Sequence, residues 1–356
     1  MTTEAAKASL MPVSLRTSVY PVACCLVAAT GVLLAFGALV TTYEAAMAVP
    51  DWPATYGHNM FLYPWADWFF GPWDLFLEHG HRMLGAAVGL ITLVVAGLVW
   101  YSRQPAAVRA LAVAAVLLVV VQGVLGGLRV LLDDKTIAKV HACTGPLFFA
   151  VAVAIATLTS PWLRPAAERE PVSGRAASLS LGGWLASGLL VAAYVQLVAG
   201  AQLRHLDATV SYGGFRWLVF LHLAGAAVVA GLSLAVAGEA FGLFSRGRRD
   251  AGGRRTERRW SLAVVGLVGC QVVLGCAAWV VSWGMPLGLL PDSIVAAFPE
   301  PTGVTVARSG FSAVVVTGHV LLGMFILATS VVLAIISGGL PRPAVIPLVA
   351  GRRAWV

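Results

Sequence analysis

Eight stretches of this chain stay apolar for long enough to cross a bilayer, and polar or Pro/Gly-rich connections separate them. They run over about 20–42, 81–101, 107–131, 138–159, 179–202, 216–238, 260–283 and 310–337. A hydrocarbon core of roughly 30 Å takes about 20 apolar residues per helix, so the pattern predicts eight transmembrane helices and an all-α polytopic membrane protein. The longest outer connections are expected at 43–80 and 284–309. The first run is too long for a signal-peptide core. Its edge, Leu39-Val40-Thr41-Thr42-Tyr43, does not read as a small-residue cleavage site, so the run is expected to be a retained span.

Charge adds an orientation. Arg103 and Arg109 fall between the second and third runs, and Arg164, Arg169 and Arg175 between the fourth and fifth. The sixth connection holds seven arginines between Arg246 and Arg259. Lys7 and Arg16 precede the first run, and Arg342, Arg352 and Arg353 follow the last. Alternating helices put all of these on one side, which the positive-inside rule makes cytoplasmic, with both termini there. On the other side, 43–80 carries Trp52, Trp65, Trp68, Trp73, Tyr56 and Tyr63 among Asp51, Asp67 and Asp74. That composition suits the outer headgroup region, or a lid over a site opening outward.

Composition agrees: 59% of the residues are hydrophobic and 11% charged, which excludes a soluble domain of this length. The formal charge of +8 is explained by orientation, so lipid and not nucleic acid is the expected surrounding. Cys24, Cys25, Cys143, Cys270 and Cys276 all lie in or beside apolar runs, and are read as buried thiols and not as a disulfide framework.

The halves echo each other. His81-Arg-Met-Leu-Gly in the second run answers to His222-Leu-Ala-Gly in the sixth. Gln122-Gly-Val-Leu-Gly in the third answers to Gln271-Val-Val-Leu-Gly in the seventh. His141-Ala-Cys-Thr-Gly in the fourth answers to His319-Val-Leu-Leu-Gly in the eighth. The expected architecture is two tandem four-helix bundles: an N-terminal unit over 1–160, a linker over 161–178, a C-terminal unit over 179–340 and a cytoplasmic tail over 341–356. Each unit has a histidine on its second and fourth helices, near the outer surface. Two imidazoles from facing helices of one bundle are what a bis-histidine heme requires, so His81/His141 and His222/His319 are read as two axial pairs. Zinc would find its four-coordinate shell incomplete. Gly85, Gly145, Gly225 and Gly323 follow the histidines by about one turn and are expected to clear room for a flat macrocycle; the competing reading is close helix packing. Arg82, Arg129, Arg204 and Arg216 on the outer side are candidate partners of heme propionates. Glu78 stands three residues before His81, where Val219 precedes His222. Only the first pair thus has an acid beside it, as expected if chemistry occurs there and electron transfer at the other. Pairing of Glu78 with Arg82 is the plainer alternative.

Taken together, the repeat, Glu78-x-x-His81, His141, His222, His319, the Asp51-Trp52-Pro53 loop and the Gln122 and Gln271 segments resemble the heme A synthase family over about 20–337. The resemblance implies oxidation of a methyl group of heme O to a formyl group, giving heme A for cytochrome oxidase assembly. It implies heme O as substrate at His81/His141, a resident heme b at His222/His319, and Glu78 as the functional glutamate. It also implies a multi-pass protein of the inner (cytoplasmic) membrane with heme sites near the outer face. Expected partners are heme O synthase, cytochrome oxidase assembly factors and further copies of the chain. Some members carry a cysteine pair in the first outer loop; 43–80 has none. A non-enzymatic diheme b-type electron-transfer protein is the rival reading.

Overall fold

The computed structural model describes residues 19–163, 180–206, 210–244, 251–283 and 309–340. Eight of its helices are long and apolar enough to cross a membrane. They are α1 (Val19–Thr42), α2 (Trp73–Tyr101), α3 (Ala106–Leu131), α4 (Lys135–Thr159), α5 (Leu181–Arg204), α6 (Tyr212–Phe241), α7 (Ala251–Trp283) and α8 (Gly310–Ile336). The linker after Leu163, most of the Arg246–Arg259 connection's first half, the 284–308 insertion and the 341–356 tail lie outside the described residues.

Two helices begin well before their apolar runs. α2 starts at Trp73, directly after Pro72, whose ring disfavours helical backbone at Gly71 and so sets the boundary. Asp74 in the first turn complements the dipole. Glu78, His79, His81 and Arg82 therefore lie inside a helix and not at its mouth. α7 starts at Ala251, so Arg254–Arg259 form polar turns that extend the helix past its apolar part. Short polar side chains cap α4, α5, α6 and α8: Asp134 accepts from Ile137 N, Ser180 from Gly183 N and Ser211 from Gly214 N, while Ser309 and Ser312 form a reciprocal capping box.

α1 packs against α2 and α4, α2 against α3, and α3 against α4. Likewise α5 packs against α6 and α8, α6 against α7, and α7 against α8. α8 also touches α4 and α1, and α4 touches α5, so α4 and α8 are the most enclosed helices. One core joins Val19, Leu26, Val88, Val95, Phe148 and Ile155 from the first four spans. A second joins Leu189, Val229, Val264, Leu327 and Leu333 with Phe149 of α4. The outside is studded with Leu90, Leu93, Leu117, Val191, Leu223, Val273 and Val314, as a surface against lipid tails requires. All five cysteines are free, but Cys25, Cys270 and Cys276 are exposed on that surface and not buried.

Between α1 and α2 the chain forms a folded cap. It holds a turn of 3-10 helix at Ala45–Met47, a two-stranded hairpin (β1, Ala54–Thr55; β2, His58–Asn59), a second 3-10 turn at Met60–Leu62 and a short helix at Trp65–Phe69. Tyr56 and Gly57, both at positive φ (49° and 78°), make the hairpin turn. The sequence pattern offered this segment as an interfacial belt or a lid, without its internal fold.

Candidate functional site

His81 of α2 faces His141 of α4 with ring centroids 6.4 Å apart and planes at 82°. His222 of α6 faces His319 of α8 at the same 6.4 Å and 66°. Two imidazoles bound at about 2 Å on opposite sides of one metal ion would set their ring centroids on the order of 6 Å apart. The Nδ1 atoms of His81, His141 and His319 are buried without a hydrogen-bond partner. Among the described residues no cluster of three or more His, Cys, Asp or Glu side chains gathers in one place. The donor set on each side is therefore two imidazoles, which suits an iron whose other ligands come from a macrocycle. The residues fit a heme between each pair.

The glycines behave unequally. A side chain at Gly85 would meet open space, whereas one at Gly145 would touch Leu34 and Gln122 at 3.6 and 3.8 Å. At Gly225 the space is filled by Gln196, and at Gly323 by Leu197, 2.9 Å away. Gly85 thus has open space beside it, whereas Gly145, Gly225 and Gly323 each face a side chain of a neighbouring helix, a setting that also suits close helix packing. Four glycines that the sequence reading passed over, Gly37, Gly126, Gly200 and Gly275, touch the imidazoles instead. Two of them were in view, since Gln122 and Gln271 of the repeat each precede one by four residues.

Glu78 is 3% exposed, and both its oxygens are engaged. Oε2 accepts from Val49 N at 3.0 Å and Oε1 from Arg82 Nη2 at 2.8 Å. Arg82 donates further to the main-chain carbonyls of Asp51, Ala54 and Val49 at 2.7, 2.9 and 2.7 Å. Buried His79 adds a contact from Nδ1 to Thr55 Oγ1 at 3.0 Å, and its ring packs edge-on against Trp68. One turn and a half of α2 thus holds the cap down. Asp51 closes the hairpin by accepting from Tyr56 N and Gly57 N at 2.9 and 2.7 Å. Burial raises the Asp51 carboxyl, but these amides and nearby Arg82 outweigh it and hold it below its ordinary value. Trp52 lies with its ring flat against Gly127 of α3, where any side chain would collide with it.

Positive charge from several helices converges beside these pairs. Arg129 of α3 donates to Ala46 O at 3.2 Å and is in electrostatic range of Glu78. Arg204, at the end of α5, reaches across to Ala38 O and Thr42 Oγ1 of α1, each at 2.5 Å. The next residue, His205, is held down to about 4 by burial, then by Arg204, Arg129 and Lys139. Such a concentration of buried cations suits carboxylates from a ligand. Arg216 sits exposed in the second turn of α6.

Residues 73–290, more than half of the chain, match a family described as cytochrome oxidase assembly protein (COX15-CtaA). That stretch includes Glu78, His81, His141 and His222 and stops short of His319. The chain is similar to the heme A synthase of Shouchella clausii (strain KSM-K16), 28% identical over 190 residues that cover 52% of this chain and 59% of that protein. It is also similar to the heme A synthase of Symbiobacterium thermophilum (strain DSM 24528), 30% identical over 187 residues that cover 51% and 57%. The matched part thus spans little more than half the length of either relative.

Proposed function

Since the chain belongs to the COX15-CtaA family of cytochrome oxidase assembly proteins, the heme A synthase family, we propose that it oxidises a methyl group of heme O to the formyl group of heme A. The observation that carries this reading is the pair of imidazole pairs, each 6.4 Å apart across the inside of a helix group. Heme O is the substrate between His81 and His141, beneath the cap. Heme b is resident between His222 and His319, where it supplies one-electron transfer when bound.

On this reading His81 and His141 hold the substrate's iron and so fix the height of its ring beneath the cap. Arg129 and Arg204 take propionates, and Arg82, spending its donors on the cap, keeps Glu78 and the 49–54 loop in place beside the ring edge. Oxidising a methyl to a formyl group releases protons as well as electrons, and the Glu78 carboxylate is the base beside the first pair. The cap keeps bulk water from the reacting edge. The two helix groups act as tandem four-helix units over 1–160 and 179–340, with both termini cytoplasmic by the arginine distribution and the heme sites toward the outer face of the cytoplasmic membrane. Heme O synthase as supplier and cytochrome oxidase assembly factors as receivers are the partners this activity calls for.

Co-expression with a source of heme O, followed by extraction and mass identification of the hemes, is the test. Heme A in the extract supports the activity; heme b alone would identify a diheme electron carrier instead. In the Glu78→Gln variant, heme content is expected to persist while heme A formation stops.

A further inference from the structure

Each of the four histidines leans on a glycine of the preceding helix. A methyl group built at Gly37 of α1 would stand 2.9 Å from His81 Cε1, and one at Gly126 of α3 would stand 3.3 Å from His141 Cε1. Gly200 of α5 and His222 Cε1 repeat this at 3.3 Å, and Gly275 of α7 and His319 Cε1 at 3.0 Å. In all four the nearest ring atom is Cε1 and the next is Nδ1. Where Nε2 comes within 4 Å it is the farthest of the three, at 3.8 Å for His81 and 3.9 Å for His141 and His319. The Cε1–Nδ1 edge therefore lies nearest the glycine in every case, and Nε2 of His81, His141 and His319 is the nitrogen farther from it; at His222 the Gln196 amide nitrogen lies 3.1 Å from Nδ1 and 3.4 Å from Nε2.

A helical side chain covers the turn N-terminal to its own Cα, so a glycine uncovers the carbonyl four residues earlier. Those carbonyls belong to Leu33, Gln122, Gln196 and Gln271. Those of Leu33, Gln122 and Gln271 lie one turn before the glycines that His81, His141 and His319 lean on, and the Nδ1 atoms of these three rings are buried with no other hydrogen-bond partner. Resting on the heme reading above, we infer that Gly37, Gly126, Gly200 and Gly275 are positioning residues that seat the four imidazoles edge-on, leaving Nδ1 of His81, His141 and His319 toward a main-chain carbonyl and Nε2 for iron, while at His222 the Gln196 side-chain amide takes the carbonyl's place beside Nδ1. A second partner of this kind fixes the tautomer and orientation of a metal-binding histidine.

The clearances set an order. Alanine at Gly37 forces its ring to move, whereas at Gly275, Gly126 or Gly200 a shift of a few tenths of an ångström suffices, with Gly275 the tightest of the three. The test uses the purified full-length protein with its hemes, following the low-spin ferric heme signal and the rate at which hemin passes to excess apomyoglobin. Gly275→Ala is expected to disturb the heme signal of the His222/His319 pair and to speed hemin loss roughly ten- to hundred-fold, by analogy with other outer partners of metal ligands. Gly200→Ala should do so more weakly. Gly266→Ala on α7, where a side chain meets nothing within 4 Å, should leave both readouts unchanged.

A mutant cycle separates seating from helix packing. In a His319→Ala background the alanine at Gly275 has no ring to displace, so its effect on thermal stability is expected to disappear. That holds even if Gly275→Ala alone fails to fold, because the double variant should then recover. A penalty that persists without the ring, or hemin loss at the unaltered rate in both Gly275→Ala and Gly200→Ala, overturns the seating role alone. A heme spectrum unaffected by His319→Ala overturns the heme reading and the inference with it.

Discussion

Replacing Arg82 by glutamine tests the claim that one guanidinium holds the cap on α2. The native side chain is only 9% exposed and makes four hydrogen bonds, three to loop carbonyls and one to Glu78. Glutamine cannot reach them all, and it leaves a buried carboxylate without its counter-charge. Removing one partner of a buried ion pair costs about 3–5 kcal/mol. The cost falls on docking of the 49–57 segment, since the helices make none of these bonds with each other. At about 1.4 kcal/mol per tenfold change, the opening equilibrium of the cap should rise by roughly two to four orders of magnitude. The reporters are built in, because Val49 N, Tyr56 N and Gly57 N are bonded within the cap and its anchor. Hydrogen exchange followed by mass spectrometry should show faster exchange across 49–57 with the α4 and α8 amides unchanged. Arg82→Lys should fall between, because it keeps the charge and loses the planar fork. Native protection of 49–57 in Arg82→Gln would refute the clamp.

Three further outcomes follow from the same contacts. Asp51, being held below its ordinary value, stabilises the hairpin fully above the unfolded carboxyl value of about 3.9 and loses that contribution as pH falls through its lower folded value. Protection at Tyr56 and Gly57 should therefore be flat from neutral pH down to about 5 and drop below about 3.9, and Asp51→Asn should abolish that step in exchange measured against pH. Gly127→Ala should expel the Trp52 ring and loosen 49–57, an effect that Trp52→Ala should mask in a double variant; additive effects would argue against the contact. Gly85→Leu fills space only beside His81, so hemin titration of the stripped protein should lose binding at the first pair and keep it at the second.

What the sequence disclosed was local in the chain. Apolar run length, the arginine distribution and the recurrence of His81 and His141 as His222 and His319 each need only a window of neighbours to be seen. α2 was read eight residues short because Trp73–Gly80 looks polar and aromatic; its helix is sustained by contacts with the cap, which no window contains. The Glu78–Arg82 pair was readable from its spacing of four. The three loop carbonyls that share the guanidinium were not, since main-chain acceptors carry no residue signature. What lies beside Gly145, Gly225 and Gly323 was not readable either, because space beside a helix is decided by its neighbour, here Leu34, Gln196 and Leu197. The glycines that touch the rings sit on the preceding helix, so finding them required knowing which helix faces which.

The differences between the halves bear on how one protein could both keep a heme and release one. A cofactor has to stay; an oxidised substrate has to leave. At the second pair, Gln196 lies 3.1 Å from His222 Nδ1 and donates to His222 O at 2.8 Å, filling the space beside Gly225 and bracing the histidine against α5. The matching position on α1 is Leu33, which has no side-chain amide, and His81 Nδ1 is left without a partner. Gly85 beside His81 faces open space, while Gly323 beside His319 is covered by Leu197. On the heme reading the cover at the first pair is the cap, whose polar anchors are concentrated on one stretch of one helix, Glu78 to Arg82, with Arg129 and the Trp52–Gly127 contact adding a second hold on α3. A hydrogen-bonded cap can open without disturbing either apolar core; a side chain wedged between packed helices cannot. On the proposed function, exchange at the first pair and retention at the second follow from where the cover is anchored, with the same two imidazoles at the same spacing in both.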